Sequence, residues 1–292
     1  LTKLAYEGLR YRYPRGDREA KARVEKELKI IHELDFNAYF LITWDIIRYA
    51  RSRGYFHVGR GSGANSIVAY CIGITDVDPV ELDLYFERFI NEHRTSPPDF
   101  DIDFSWDERD DIIDYIFKRY GSKHVCLLAT YVTFRDKSIY RELAKVFGLP
   151  KAEIDAWLDP ATAMREVTSE IQALIVKYGQ LLLDFPNYLS IHAGGILISD
   201  APLSAYTALE GMPKGFPICQ FDMYVAEEIG FAKFDILSQR GLGHIKEAVD
   251  IIRANRGQDV DIHRVQEFMK DEGVRKQLKI GRASCRERVS SP

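Results

Sequence analysis

The 292-residue sequence predicts an α+β domain, in which strands carry acidic residues and helices surround them. Three observations predict it. Residues 99–104 read Asp-Phe-Asp-Ile-Asp-Phe, an unbroken alternation of acid and apolar side chains that marks a strand. Residues 20–34 and 37–51 repeat apolar side chains at helical spacing. Between the helical part and the acidic strand lies a glycine-rich stretch, Val58-Gly59-Arg60-Gly61-Ser62-Gly63.

Taken in order, residues 20–34 place Val24, Leu28, Ile31 and Leu34 on one helical face. Residues 37–51 have Tyr39, Phe40, Ile42, Ile46, Ile47 and Ala50 apolar, a helix with a broad buried face. The glycine loop 59–63 follows, and Asn65 is placed to cap a short, very apolar helix over 66–72. After the acidic strand comes a helix over 107–120. Asp107, Glu108, Asp110 and Asp111 stand at its start, Lys118 and Arg119 at its end, and Gly121 just past it, as the helix dipole and C-cap rules favour. Residues 135–147 form another helix, ended by Gly148 and Pro150, and 151–186 read as helical with weaker periodicity. Short strands are expected over 194–198 and 230–237, and a helix over 243–253. There is no internal repeat or low-complexity tract.

Composition narrows the classes. Hydrophobic residues make up 46% and charged residues 29%, which is ordinary for a folded globular protein. No apolar run approaches the roughly 20 residues needed to span a bilayer, so no membrane partner is expected. The four cysteines, Cys71, Cys126, Cys219 and Cys285, are too far apart in sequence to form zinc pairs, and a reduced, cytoplasmic protein is expected. Net charge is 40 − 44 = −4, so bulk charge gives no support to nucleic-acid binding, which would need a local basic surface. The sequence opens Leu1-Thr2-Lys3-Leu4 without a signal-peptide pattern, and is expected to be an internal piece of a longer protein. Residues 280–289, Ile-Gly-Arg-Ala-Ser-Cys-Arg-Glu-Arg-Val, match the translation of ATC GGA AGA GCG TCG TGT AGG GAA AGA GTG, a common sequencing-adapter sequence. Residues 280–292 are therefore expected to be a translated artefact, with the true gene cut near Lys279.

The aspartate strand is the most informative segment. Successive strand side chains alternate faces, so Asp99, Asp101 and Asp103 point one way while Phe100, Ile102 and Phe104 point into a core. Like charges on one face repel, and a strand keeps them when something positive sits there. A pair of divalent ions fits, since Mg²⁺ prefers carboxylate oxygen. A solvated acidic edge is the plain alternative. A calcium loop fits poorly, because the position that such a loop reserves for glycine is Phe104.

The glycine loop suits a phosphate cradle, since glycine lets backbone amides approach oxygen and a following helix adds positive potential. It is not a P-loop, having no lysine, and it meets the dinucleotide pattern only loosely, with a helix rather than a strand expected before it. Lys233-Phe234-Asp235-Ile236-Leu237 sets a further acid in a strand-like run, a candidate third ligand beside Asp101 and Asp103. Lys137 and Arg141, four apart, share a helical face, either as solvated charges or as a clamp on phosphate. His57 and His192 are left without a role.

These residues resemble a known family. Gly59-Arg60-Gly61-Ser62-Gly63 lies upstream of Phe86-Glu87-Arg88-Phe89 and of Pro98-Asp99-Phe100-Asp101-Ile102-Asp103-Phe104. His192-Ala193-Gly194, Gln220-Phe221-Asp222 and Lys233-Phe234-Asp235 follow. Their order and spacing resemble the bacterial C-family DNA polymerases, the DNA polymerase III alpha subunits, over nearly all of residues 1–279. The resemblance implies a palm of the polymerase-β nucleotidyltransferase type, a mixed sheet with flanking helices, interrupted by a small helical thumb. It implies palm over 1–132 and 191–258, thumb over 133–190 and the start of the fingers over 259–279. It implies that Asp101, Asp103 and Asp235 are catalytic and hold two Mg²⁺ ions, and that Gly61 and Ser62 cradle a triphosphate. Arg60, Lys137, Arg141 and Lys233 are the candidates to neutralise that triphosphate. The implied reaction is DNA-dependent DNA synthesis, adding a dNTP to a primer 3′-hydroxyl and releasing pyrophosphate. The implied partners are primer–template DNA, dNTP and, through regions outside this sequence, the sliding clamp and other replisome subunits. Two departures stand out: His57-Val58 where the family often has proline, and Ile236-Leu237-Ser238 where it usually has Phe-Leu-Gly. The alternatives are a template-independent nucleotidyltransferase of the same palm type, or an inactive piece that only binds.

Overall fold

The computed structural model describes residues 1–90, 99–159, 167, 169–213 and 215–277. The expectation for residues 280–292 lies outside the described residues.

Three helices open the chain: α1 (Thr2–Arg12), α2 (Arg18–Glu33) and α3 (Asn37–Ser52). Helix α2 starts where the Asp17 side chain accepts the Ala20 amide, and it buries Ala20, Val24, Leu28 and Ile31. Strand β1 (His57–Arg60) comes next, then a 3₁₀ turn over Gly61–Asn65 and the short helix α4 (Ile67–Ile72). The expected loop therefore begins as a strand. The expected Asn65 cap is corrected too. Ser66 caps α4 by accepting the Ala69 amide at 3.1 Å, while Asn65 turns back and donates to the Ser62 carbonyl at 2.8 Å. Fully buried Glu27 completes this helix start, accepting from Ser66 Oγ and from the Ile67 and Val68 amides.

Strand β2 (Asp101–Ser105), helix α5 (Arg109–Tyr120) and strand β3 (Val125–Thr133) follow. The chain then leaves the sheet for α6 (Asp136–Val146), α7 (Lys151–Trp157) and α8 (Glu170–Leu181). These helices share an apolar cluster of their own, Ala144, Ile154, Trp157, Leu158 and Ile175. The chain returns as the long strand β4 (Pro186–Ile198), so the expected strand over 194–198 is its buried end. It continues through β5 (Leu209–Gly211), β6 (Pro217–Cys219), α9 (Met223–Ile229), β7 (Lys233–Gln239), α10 (Arg240–Arg256) and α11 (Val265–Lys270). Gly230, expected to begin the last strand, instead ends α9 in the left-handed conformation at φ 95°.

Among the described residues seven strands form one mixed sheet in the order β1-β2-β7-β4-β3-β6-β5. β2 and β7 run parallel, as do β3 and β6, and the other neighbours are antiparallel. The α+β expectation is met: helices flank this sheet, and one large apolar core joins it to α1–α5. Cys71, Cys126 and Cys219 are buried free thiols. Among the described residues no helix is long and apolar enough to cross a membrane.

Candidate active site

The sheet register assembles the acids. Asp101 of β2 is paired with Asp235 of β7 and with Arg60 of β1, and Asp235 is paired in turn with Gly195 of β4. Side chains in such a row stand on one face, on strands about 4.8 Å apart. Asp103 is two residues on from Asp101, on the same face. The opposite face is core: Phe100, Ile102, Phe104, Phe234 and Ile236 are all less than 5% exposed. Asp99 lies just before β2 rather than within it, yet Lys233 Nζ reaches its Oδ2 at 3.7 Å, so it stands at the margin of the same site.

Two cations fill this face. The Arg60 guanidinium spans both aspartates of β2, with Nε 2.8 Å from Asp103 Oδ2 and a terminal nitrogen 3.3 Å from Asp101 Oδ2. Lys233 Nζ sits 2.9 Å from Asp235 Oδ2. Arg60 is nearly half exposed and Lys233 is buried. The Asp101 carboxyl is pushed up by burial, and Asp235 and Asp103 push the same way against Arg60 and Lys233. Burial would lower the Lys233 ammonium, but its bond to Asp235 and the charge of Asp99 outweigh it and raise it. The other oxygen of Asp235, Oδ1, is buried with no hydrogen-bond partner. A buried acceptor left unpaired in this way costs about 1–3 kcal/mol, so the site has an unfilled demand for a positive group.

The glycine turn closes over the acids. Gly61 has φ 75°, and a Cβ there would lie 2.6 Å from Asp101 Oδ2. Only glycine lets the backbone pass so close to that carboxylate. Ser62 follows in the same turn.

Sequence reasoning missed the residues that hold the acid strands together. The Tyr39 hydroxyl, on α3, accepts the Phe100 amide at 2.7 Å and donates to the Lys233 carbonyl at 3.2 Å, tying β2 to β7 just ahead of both acids. Its ring stacks on Phe100 and leans on Phe234. Arg109, at the start of α5, donates to the Ile236 and Ala193 carbonyls, both at 2.7 Å, tying β7 to β4 beside Asp235. The bonded partners are backbone amide and carbonyl groups far along the chain, and no sequence motif announces them.

Arg141 is not brought to the acids by any bond: its guanidinium pairs with Asp155 of α7 at 2.8 Å, within the helical insertion. Lys137 lies on α6, and its side chain falls outside the described residues. His57 is buried on β1, where it bonds the Gly73 carbonyl at 3.3 Å; burial pushes its imidazole down to about 3. His192 is half-buried on β4. Burial holds it below the usual imidazole range, against the opposing pull of Asp235.

Among the described residues no three acidic, histidine or cysteine side chains form a ready-made metal cage. The donor set nevertheless fits a hard divalent ion: all three acids offer carboxylate oxygen, and Asp235 Oδ1 is orphaned.

The family model described as the bacterial DNA polymerase III alpha NTPase domain matches residues 1–238. A protein named error-prone DNA polymerase from Symbiobacterium thermophilum is 38% identical over 271 residues, 86% of this chain and 25% of the relative. The protein of the same name from Pseudomonas syringae pv. tomato is 38% identical over 274 residues, 88% of this chain and 26% of the relative. One from Hahella chejuensis is 35% identical over 283 residues, 91% of this chain and 27% of the relative. The chain thus spans about a quarter of the length of the curated relatives it matches. On its match to the family model, the chain belongs to the bacterial DNA polymerase III alpha family, through that family's NTPase domain.

Proposed function

We propose that this chain is the palm of a DNA-directed DNA polymerase, of the polymerase-β nucleotidyltransferase type, with an inserted thumb. Residues 1–132 and 191–258 make the palm, 133–190 the thumb and 259–279 the start of the fingers. The observation that carries the reading is the row Arg60–Asp101–Asp235, with Asp103 beside it and the Gly61 turn closing on Asp101. The relatives' shared name, error-prone DNA polymerase, favours an error-prone enzyme over a main replicase.

Asp101, Asp103 and Asp235 would hold two Mg²⁺ ions, which when bound lower the pKa of a primer 3′-hydroxyl and offset charge growing on the α-phosphate. The chain's own residues do the positioning. The acids on two paired strands fix where the reacting phosphate must sit, and the parallel register keeps them one strand apart. Gly61 and Ser62 offer backbone amides to the triphosphate of a dNTP. Arg60, released from the carboxylates, turns toward that triphosphate, while Lys233 stays buried against Asp235 and limits the charge there. Arg141 would have to leave Asp155 to take part, and Lys137 is the other insertion residue available. Primer–template DNA is the partner of the assembled site, and pyrophosphate leaves.

The test is Asp101→Ala and Asp103→Ala in the complete polymerase, with primer extension and a thermal melt in EDTA. In the metal-free fold the half-exposed Arg60 pairs with both carboxylates, so either change trades one partly exposed ion pair against relief of like-charge repulsion and should leave the metal-free melt nearly unchanged. Extension abolished with an unchanged melt is expected. Full extension by either variant refutes the metal-ligand role.

A further inference from the structure

His192 has no part in the mechanism above, yet its surroundings are built around its ring. Strand β4 bulges there: Leu127 of β3 pairs with Ile196 and Ala129 with Ile191, so Leu128 alone faces residues 192–195. Within the bulge, His192 Nδ1 accepts the Gly195 amide at 2.8 Å and the Gly194 amide at 3.3 Å. A Cβ on Gly195 would lie 3.0 Å from that same Nδ1, so the imidazole occupies the space a side chain at 195 would need. Gly195 is the residue paired with Asp235. A Cβ on Gly194 would lie 3.4 Å from Asp235 Oδ1 and 2.4 Å from Leu237 Cδ2, so the bulge rests on the third aspartate itself. The paired row across the sheet is Arg60, Asp101, Asp235 and Gly195, and the His192 ring is tied to the amide of its last member.

The hydrogen bonds decide what His192 offers. Two amides point at Nδ1, so its lone pair is taken and the proton of the neutral ring is on Nε2. Nε2 is not a buried unpartnered atom, and no acceptor bonds it among the described residues. A protonated Nε2 has no lone pair for a metal ion. It can only donate, and a donor tied to the glycine that pairs with Asp235 suits an anion lying over the acids. Arg60 provides the same at the other end of the row.

We propose that the His192 Nε2–H donates a hydrogen bond to the triphosphate of the incoming dNTP, opposite Arg60 across the aspartates. The assignment rests on the nucleotidyl-transfer reading above. The amides of Gly194 and Gly195 then serve to hold the ring in place.

The test is steady-state primer extension by the complete polymerase with dATP, comparing His192→Phe, His192→Gln and Asp235→Asn. A lost hydrogen bond to a charged group predicts that His192→Phe raises the KM for dATP at least about tenfold, with the Kd for primer–template unchanged. Glutamine can accept the two amides and donate outward, so His192→Gln should restore KM to within about threefold. In the ¹⁵N-histidine spectrum of this chain, His192 should show the Nε2–H pattern. Asp235→Asn should be inactive; if it is fully active, the nucleotidyl-transfer reading itself fails. If Asp235→Asn is inactive while His192→Phe keeps its KM for dATP, the His192 assignment alone is overturned. An Nδ1–H pattern overturns it, as does a loss in His192→Phe that glutamine does not restore. A weakened Kd for primer–template with KM for dATP unchanged would place the donor on DNA instead, and also overturns it.

Discussion

Tyr39→Phe removes one oxygen and leaves the ring stack on Phe100 and Phe234 in place, so it isolates the hydroxyl that joins the two acid strands. That oxygen is buried, as are both of its partners: the Phe100 amide that it accepts at 2.7 Å and the Lys233 carbonyl to which it donates at 3.2 Å. An amide left unpaired in the core costs about 1–3 kcal/mol, and the lost bond to the carbonyl adds about 0.5–1.5 kcal/mol. The void is a single oxygen wide, too small for a water to replace both contacts. A loss of about 2–4 kcal/mol is therefore expected, since neighbouring penalties rarely add in full. Urea unfolding of the chain should show a lower midpoint with an unchanged slope, because the surface exposed on unfolding is the same. Primer extension by the complete polymerase should fall as well, because β2 and β7 lose the tie that holds Asp101 beside Asp235. A midpoint shift worth less than about 0.5 kcal/mol would refute the argument, since no buried bridge of this kind costs so little.

Two further outcomes follow from the same geometry. Gly61→Ala puts a side chain at φ 75°, at a cost of about 1–2 kcal/mol. Its Cβ would stand 2.6 Å from Asp101 Oδ2, so primer extension should drop at least about tenfold, more than the small fall in Tm implies; wild-type extension would contradict the turn's placement. His57, pushed by burial from 6.5 down to about 3, gives a pH dependence whose sign is fixed. Below pH 6.5 the unfolded chain takes a proton that the folded chain refuses, so stability falls with pH by about 1.4 kcal/mol per unit until near the folded value. Denaturant unfolding between pH 6.5 and 4.5 should show this slope flattened in His57→Phe, and identical slopes would contradict it.

What the sequence makes legible is what lies close together along it. The strict alternation from Asp99 to Phe104 reveals both a strand and its acidic face, and residues 20–34 and 37–51 read as the helices they are. β3 opens as the continuous apolar run Val125–Ala129, whose periodicity does not separate strand from helix. The start of β4, over residues 186–188, is exposed and does not alternate, so it reads as an extension of the preceding helical stretch. In the site, Asp101 and Asp103 are legible as a pair and Asp235 as a further acid in a strand-like run, but only the family resemblance singles Asp235 out as their partner, because strand register is a long-range property. The residues that enforce that register are the least legible. Tyr39 and Arg109 grip backbone atoms 61 to 194 residues away, and a backbone carbonyl leaves no trace in a sequence. The His192 bulge lies between: His-Ala-Gly-Gly is visible as a motif, but only the fold sets it over Asp235.

The central claim is that Asp101, Asp103 and Asp235 jointly hold divalent cations. The most direct measurement is a titration of this chain with Mn²⁺ followed by electron paramagnetic resonance, in the presence of dATP and beside the Asp235→Asn variant. The account predicts up to two bound ions per chain, with binding lost or weakened at least about tenfold in Asp235→Asn, read where the variant is still folded in EDTA, because the change also takes the buried Lys233 ammonium's partner away. Equal Mn²⁺ binding by the two proteins would contradict it, and would leave the acids as a salt-bridged edge held by Arg60 and Lys233 alone.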